Sequence, residues 1–317
     1  MPAFESFTDL STLPRHVEES QGTAWFVPDF ALAETLIRRG ADSKRVAIGE
    51  LGELLEWEKS LEQAGPDDPI RPPHAYKPAL RALLALPTYN EAENLENMVQ
   101  AIHTWLDCDI LVIDDNSPDG SGDIADRLAQ ADSRIHVLHR KGKEGLGKAY
   151  IAGYSWGLEQ GYELLFQMDC DFSHPPWDLP RMAYAAKTAD LVIGSRYVPG
   201  GRTDGWVFRR RLLSKGANLY TKLWLGFGIQ DWTAGFRCYH ADLLHRIQLD
   251  QVSASGYSFQ VEMAYRSKRK RARITEVPIR FIDREEGISK MSGGIAAEAI
   301  RLVPAMRFKH ISRDQTP

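Results

Sequence analysis

Cysteine is scarce. Cys108, Cys170 and Cys238 are the three in 317 residues, too few and too scattered for a disulfide framework or a paired Cys-x-x-Cys metal site. They read as reduced thiols of a cytosolic protein. No run of about 18 apolar residues occurs, so no transmembrane helix is expected. The opening MPAFESFTDLSTLPRHVEES lacks the basic-then-apolar order of a secretion signal. Neither charge dominates: Lys+Arg 39 against Asp+Glu 43 leave a net charge of −4. That argues against bulk attraction to nucleic acid, and no nucleic-acid partner is expected. The nine histidines show no metal-ligand spacing, and the glycine-rich 142-GKEGLGKAYIAG-153 lacks P-loop spacing. What is present is a 43% hydrophobic chain, long enough for a sizeable core.

The chain divides by pattern. Residues 1–64 read as a helical extension of unknown role, with helix-like segments at roughly 29–39 and 48–63. Residues 65–78 hold five prolines in fourteen positions, which predicts a linker or extended arm. From 79 to 310, short apolar runs (80–87, 109–115, 135–139, 163–169, 190–196) alternate with helix-like stretches (91–105, 121–131, 145–160, 177–188). Such alternation predicts an α/β fold with a mostly parallel sheet buried on both faces. Ligands of such sheets bind beyond the carboxyl ends of the strands. There the sequence places Pro87–Glu91, Asp114–Asp115, Asp169–Asp171 and Gly194–Arg196. Further on come a basic helix over 209–225, a turn at 231–239, a helix near 257–268, a strand at 274–284, a loop at 285–294 and a closing helix near 295–309.

The stretch 167-QMDCDFSHPPWDLP-180 sets Asp169 and Asp171 one residue apart after an apolar run. Carboxylates so spaced can hold Mg²⁺ or Mn²⁺, hard cations that take oxygen ligands and bridge phosphates. The same pattern describes a solvated acidic turn, and the stretch alone leaves both open. Glu91 suits either a nucleotide contact or the first turn of a helix.

The segments 86-LPTYNEAENL-95, 113-IDDNSPDGSGD-123, 145-GLGKAYIAG-153, 167-QMDCDFSHPPWDLP-180, 194-GSRYVPGG-201, 231-DWTAGFR-237, 256-GYSFQVEM-263 and 277-VPIRFIDREEGISK-290 follow one another in family order. Together they resemble the dolichol-phosphate (polyprenyl-phosphate) mannose synthases of glycosyltransferase family 2, from about Arg81 to Met306. The resemblance implies a GT-A fold, a nucleotide-sugar-binding sheet continuous with a smaller acceptor-binding part. It also implies inverting transfer of mannose from GDP-mannose to a polyprenyl (dolichyl) phosphate, with Mg²⁺ or Mn²⁺. Asp169 and Asp171 match the family's DxD pair, Asp171 with a catalytic role, and Ser173 matches a further metal contact. Pro87, Tyr89, Glu91, Ile113, Asp115 and Cys170 match donor-binding positions, as do the basic residues Arg196, Arg284 and Lys290. Arg210 and Ser214 match contacts to the acceptor phosphate, with Arg209 and Arg211 close enough to leave the choice of arginine open.

Cys170 stands where the family usually has Ala, which raises the hypothesis of oxidation sensitivity or affinity for softer metals. Family members anchor by C-terminal transmembrane helices or through a partner protein. A peripheral, cytoplasmic protein is expected here, with Trp206, Phe208, Leu223, Trp224, Leu225 and Phe227 either on the bilayer or in the core. Two competing readings stand beside this one: the same chemistry from another donor such as UDP-glucose, and a non-catalytic nucleotide-sugar-binding protein.

Overall fold

The computed structural model describes residues 4–6, 24–49, 56, 57, 60, 63, 64, 68–252, 257–283 and 301–308. The N-terminal segment is not purely helical. Strands β1 (Phe4–Ser6), β2 (Ala24–Val27) and β3 (Val46–Ile48) form a parallel three-stranded sheet, with helix α1 (Phe30–Arg38) between β2 and β3. The runs Trp25–Val27 and Val46–Ile48 are too short to stand out by periodicity, yet their apolar side chains are almost all buried. Helix α1 falls inside the expected 29–39, is capped by Asp29 through Leu32 N–H (2.8 Å), and buries Leu32, Ala33, Leu36 and Ile37 on one face. Of the expected 48–63 helix, Ile48 ends strand β3 and Gly49 lies in a bend, while Glu56, Trp57, Ser60 and Gln63 are helical. The described part of the proline-rich arm is anchored. Ile70 N–H bonds Lys44 C=O, and Tyr76 exchanges backbone bonds with Trp105 and Asp107.

The central sheet uses β4 (Ala82–Thr88), β5 (Asp109–Asp114), β6 (Ile135–His139), β7 (Leu164–Gln167), β8 (Leu191–Ser195), β10 (Arg237–His240) and β11 (Ile274–Pro278). A separate ribbon pairs β9 (Arg202–Asp204) with β12 (Arg280–Ile282). The sheet order is β11-β8-β10-β7-β4-β5-β6, parallel throughout except β10, which is antiparallel to both neighbours. The chain runs outward from β4 through β5 to β6, then returns to β7 on the other side of β4. That reversal opens the crevice in which α/β sheets bind ligands.

Continuous apolar runs are explained by the two cores. Leu84, Leu86, Ile110, Val112 and Phe166 face one layer, while Leu83, Ala85, Leu111, Ile113 and Leu165 face the other. Each fully buried side chain of this size contributes roughly 1.5–3 kcal/mol. Helix α2 (Leu95–Trp105) covers the first face with Leu95, Met98, Val99 and Ile102, and helix α3 (Ser121–Ala131) follows it. Helix α4 (Leu146–Glu159) covers the second. It lies close to the sheet because a Cβ on Gly153 would meet Ile113 at 2.5 Å, and one on Gly157 would meet Leu83 and Leu165 at 2.8 Å. Helix α5 (Leu179–Ala185) completes this part.

Two expectations change. The 231–239 turn contains strand β10, whose Arg–Cys–Tyr–His sequence carries little strand signal. The 274–284 strand breaks at Pro278, which cannot donate to a ladder; β11 stays in the main sheet and β12 joins β9. The basic helix is α6 (Phe208–Leu225), followed by α7 (Ala241–Ile247), α8 (Tyr257–Arg269) and a helix whose described residues are 301–308.

Candidate active site at the carboxyl edge of the sheet

The ends of β4 and β5 lie side by side, Pro87 opposite Ile113 and Thr88 opposite Asp114. Both chains then reverse through an asparagine with positive φ, Asn90 at 58° and Asn116 at 60°, a conformation asparagine tolerates better than most residues. The segment after β5 holds the one after β4. Asn90 N–H bonds Ser117 Oγ (3.2 Å), Glu91 N–H bonds Ser121 Oγ (3.0 Å) and Ala92 N–H bonds Asp119 Oδ2 (3.0 Å). Glu91 accepts from Asn94 Nδ2 at 2.9 Å. The Tyr89 ring is covered by the Lys143 ammonium, 4.0 Å from its centroid. Asp115 is buried against Arg140, whose guanidinium also reaches Glu144 at 2.9 Å. Burial pushes the Asp115 carboxyl up, against the lowering pull of Arg140. The Ile113 side chain is fully buried, which leaves only its backbone to face a ligand.

After β7 the chain turns through Phe172 at φ 59°. Asp169 Oδ1 accepts from Tyr150 OH at 3.3 Å, and its backbone N–H donates to His174 Nδ1 at 3.2 Å. His174 is buried, its pKa is lowered chiefly by that burial, and it orients the turn. Asp171 Oδ1 accepts from Ser173 N–H (3.0 Å) and Ser173 Oγ (2.6 Å). The Ser173 hydroxyl therefore orients the Asp171 carboxylate. Two carboxylates and a hydroxyl are hard oxygen donors that suit Mg²⁺ or Mn²⁺. Among the described residues no group of three or more His, Cys, Asp or Glu forms a cage.

Cys170 has only its backbone left for the expected donor contact. Its thiol lies in the core, where it is 2% exposed. Burial raises its pKa well above the usual value, which removes the thiolate needed for oxidation or soft-metal binding. Cys108 and Cys238 are buried as well. Native protein is therefore expected to show no thiol reactive to a disulfide reagent, and all 3 after denaturation. A native titre of one thiol lost in Cys170→Ala would restore the redox hypothesis.

Arg196, after β8, forms a two-pronged ion pair with Asp231: Nε to Oδ2 and Nη2 to Oδ1, both 2.7 Å. Asp231 also takes Arg196 N–H (3.0 Å), and Thr233 Oγ1 takes Nη2 at 2.9 Å. Burial works to raise the Asp231 pKa, but Arg196 outweighs it and the carboxyl lies below the usual range. The loop carrying Asp231 rests on fully buried Arg237, which donates to the carbonyls of Trp232, Ala234 and Gln260. Arg210, in α6, grips Asp283 at 2.6 and 2.7 Å. The arginine left open at 209–211 divides accordingly: Arg211 turns away to Thr203 C=O (2.9 Å). Ser214 Oγ accepts from Tyr197 OH at 2.7 Å. The Trp206 indole contacts both cations, 5.4 Å from Arg196 and 4.3 Å from Arg210. Arg284 and Lys290 lie outside the described residues.

Residues 84–248 match the family described as glycosyl transferase family 2. An undecaprenyl-phosphate mannosyltransferase of Micrococcus luteus is 51% identical over 222 residues, 70% of this chain and 91% of that protein. The chain belongs to glycosyltransferase family 2. A polyprenol monophosphomannose synthase of Mycolicibacterium smegmatis is 48% identical over 242 residues, 75% of this chain and 90% of its own. Among solved structures, a mycobacterial protein superposes with a TM-score of 0.53 at 16% identity, over 75% of this chain and 76% of that one, a likeness of fold. The expected GT-A architecture stands, and the family 2 chain is a glycosyltransferase. Sequence reasoning missed Asp231, Asp283 and Tyr197 as partners of Arg196, Arg210 and Ser214. The available signal was an acid in two of the motifs that carried the resemblance, Asp231 in 231-DWTAGFR-237 and Asp283 in 277-VPIRFIDREEGISK-290.

Proposed function

We propose that this glycosyltransferase transfers mannose from GDP-mannose to a polyprenyl phosphate, with inversion at the anomeric carbon. The observation that carries the reading is that His174 of the Asp169–Asp171 turn feels the charges of both carboxylates and of Arg196, while Trp206 contacts both Arg196 and Arg210, each arginine fixed by a carboxylate. The names of the two half-identical relatives support the lipid phosphate and the mannose.

Asp115 and Glu91 accept hydrogen bonds from the base and ribose, and Tyr89 offers a stacking face once Lys143 moves to the phosphates. Asp169 and Asp171, with Ser173, would hold Mg²⁺ or Mn²⁺, which when bound would supply Lewis-acid charge toward the departing diphosphate. Arg196 adds a fixed cation that needs no reorientation as charge develops. By resemblance, Arg284 and Lys290 do the same for the donor. Arg210 and Ser214 place the acceptor phosphate. A phosphate monoester has its second pKa near 6, so at neutral pH it is mostly dianionic and attacks without a protein base. Placement and screening are what it needs.

The acceptor is a membrane lipid, and the surface of α6 fits a peripheral role. No helix among the described residues is long and apolar enough to cross a membrane. Trp206 and Leu225 are core residues, but Phe208, Leu223 and Phe227 are 77%, 65% and 69% exposed. With Leu212 and Leu219, Phe208 and Leu223 share one face of α6, bordered by Arg211, Lys215 and Lys222. That is the pattern of a helix lying in a bilayer interface. Replacing Leu219 and Leu223 together by Glu is expected to weaken flotation with anionic vesicles by at least about tenfold. Unchanged flotation would return that face to solvent.

The test of the reaction is parallel incubation with polyprenyl phosphate, Mg²⁺ or Mn²⁺, and labelled GDP-mannose or UDP-glucose. Label entering the lipid phase from GDP-mannose is the expected result. Label from UDP-glucose alone would replace the donor, and donor binding without transfer would favour a binding protein.

A further inference from the structure

The family match begins at residue 84, and the relatives align with 70% and 75% of this chain but 91% and 90% of their own. The unit built from β1, β2, α1 and β3 lies before that match. Several of its contacts to the transferase domain fall at and just after the end of α1. Asp42 Oδ2 accepts from Arg202 Nη2 and Arg280 Nη1, both at 2.9 Å. One carboxylate thus ties together the two strands of the β9–β12 ribbon, which Arg280 also joins through Asp204. A few residues earlier, Arg38 Nη2 donates to Glu276 C=O at 2.8 Å. Gly200, at the loop leading into β9, sits so close to α1 that a Cβ would meet Ile37 C=O at 2.6 Å. Glu34 and Asp178 share the buried Arg181 of α5, docking α1 on that helix through contacts that Asp42 does not make.

The ribbon in turn touches the site. Ile282 N–H donates to Ser173 C=O (3.2 Å), in the Asp169–Ser173 turn, and Asp283 N–H donates to Asp204 C=O (3.1 Å). Asp283 is the residue that grips Arg210. On the other branch, the Glu276 carboxylate takes the backbone N–H groups of Gln230 (2.7 Å) and Asp231 (2.9 Å), and Asp231 holds Arg196. The N-terminal unit therefore reaches both arginines of the site through two short chains of contacts, one of which also braces the carboxylate turn.

We propose that the N-terminal unit is a positioning element of the transferase, with Asp42 setting the β9–β12 ribbon and through it Arg210 and the Asp171–Ser173 turn. The proposal rests on the transferase reading for its kinetic consequence but not for its structural one. A carboxylate shared by two arginines holds both strands at one spacing, and a misplacement of about 1 Å costs up to a hundredfold where geometry sets the rate. Both the acceptor contacts, Arg210 and Ser214, and the carboxylate turn that serves the departing diphosphate carry that cost.

Asp42→Asn is the deciding variant. It removes the charge yet keeps the oxygen that accepts from Lys44 N–H, and it leaves Glu34–Arg181 in place. Amide exchange at Ile282 and Asp283 is expected to quicken at least about tenfold, with the amides of α1 unchanged. The KM for polyprenyl phosphate and the metal concentration for half-maximal transfer are both expected to rise about tenfold, with Asp42→Glu recovering most of the loss. Unchanged exchange at the two ribbon amides would overturn the proposal. So would equal quickening throughout α1 and the ribbon, which marks a merely structural contact. A wild-type chain that transfers no mannose would defeat the transferase reading alone, and the exchange result would still decide this one.

Discussion

Asp171→Asn is expected to lower kcat by at least about a hundredfold with the fold retained. The substitution keeps the size of the side chain and the oxygen that accepts from Ser173 N–H and Oγ. It removes the negative charge, and with it a hard anionic ligand for Mg²⁺ or Mn²⁺. The loss is therefore expected in the metal titration as well as in the rate, with a higher metal concentration needed for half-maximal transfer. Unfolding by urea checks that the fold is untouched. Transfer at wild-type rate and metal dependence would remove Asp171 from the site.

The second large effect is on stability as well as activity. Asp231→Ala leaves Arg196, with 9% of its side chain exposed, facing a pocket with its partner gone. Breaking a buried pair in this way costs about 3–5 kcal/mol, because one charge stays behind without compensation. Asp231→Asn keeps the shape and loses less stability, but no longer aligns the guanidinium through two charged bonds. Both variants are expected to lose most transfer, and urea midpoints separate them. Since the Asp231 carboxyl titrates below its unfolded value of 3.8, the stability it contributes is fully present above that pH and is lost as pH falls further. An Asp231→Ala midpoint equal to wild type would show that the pair contributes nothing.

Much of this site could be read before any coordinates. Short apolar runs ending in polar residues marked the edge of the sheet, because strands buried on both faces have no other place for acids and arginines. Alternation could also have placed Cys170: if Asp169 and Asp171 face the ligand, the residue between them faces the core. Other features depend on tertiary pairing and have no local signature. Strand β10 is four residues long and contains Arg237, a residue that is buried only because three carbonyls converge on it. The acids Asp231 and Asp283 acquire meaning from arginines 35 and 73 positions away. The short parallel strands of the N-terminal unit join residues whose adjacency no period encodes.

The reaction proposed is a single displacement, in which the acceptor phosphate attacks directly and no protein group forms a covalent intermediate. The anomeric configuration of the lipid-linked product, read by NMR from GDP-mannose of known configuration, tests this most directly. The predicted product is a mannosyl phosphate of the opposite anomer to the donor; a product of the same anomer, or no lipid-linked mannose at all, would contradict it.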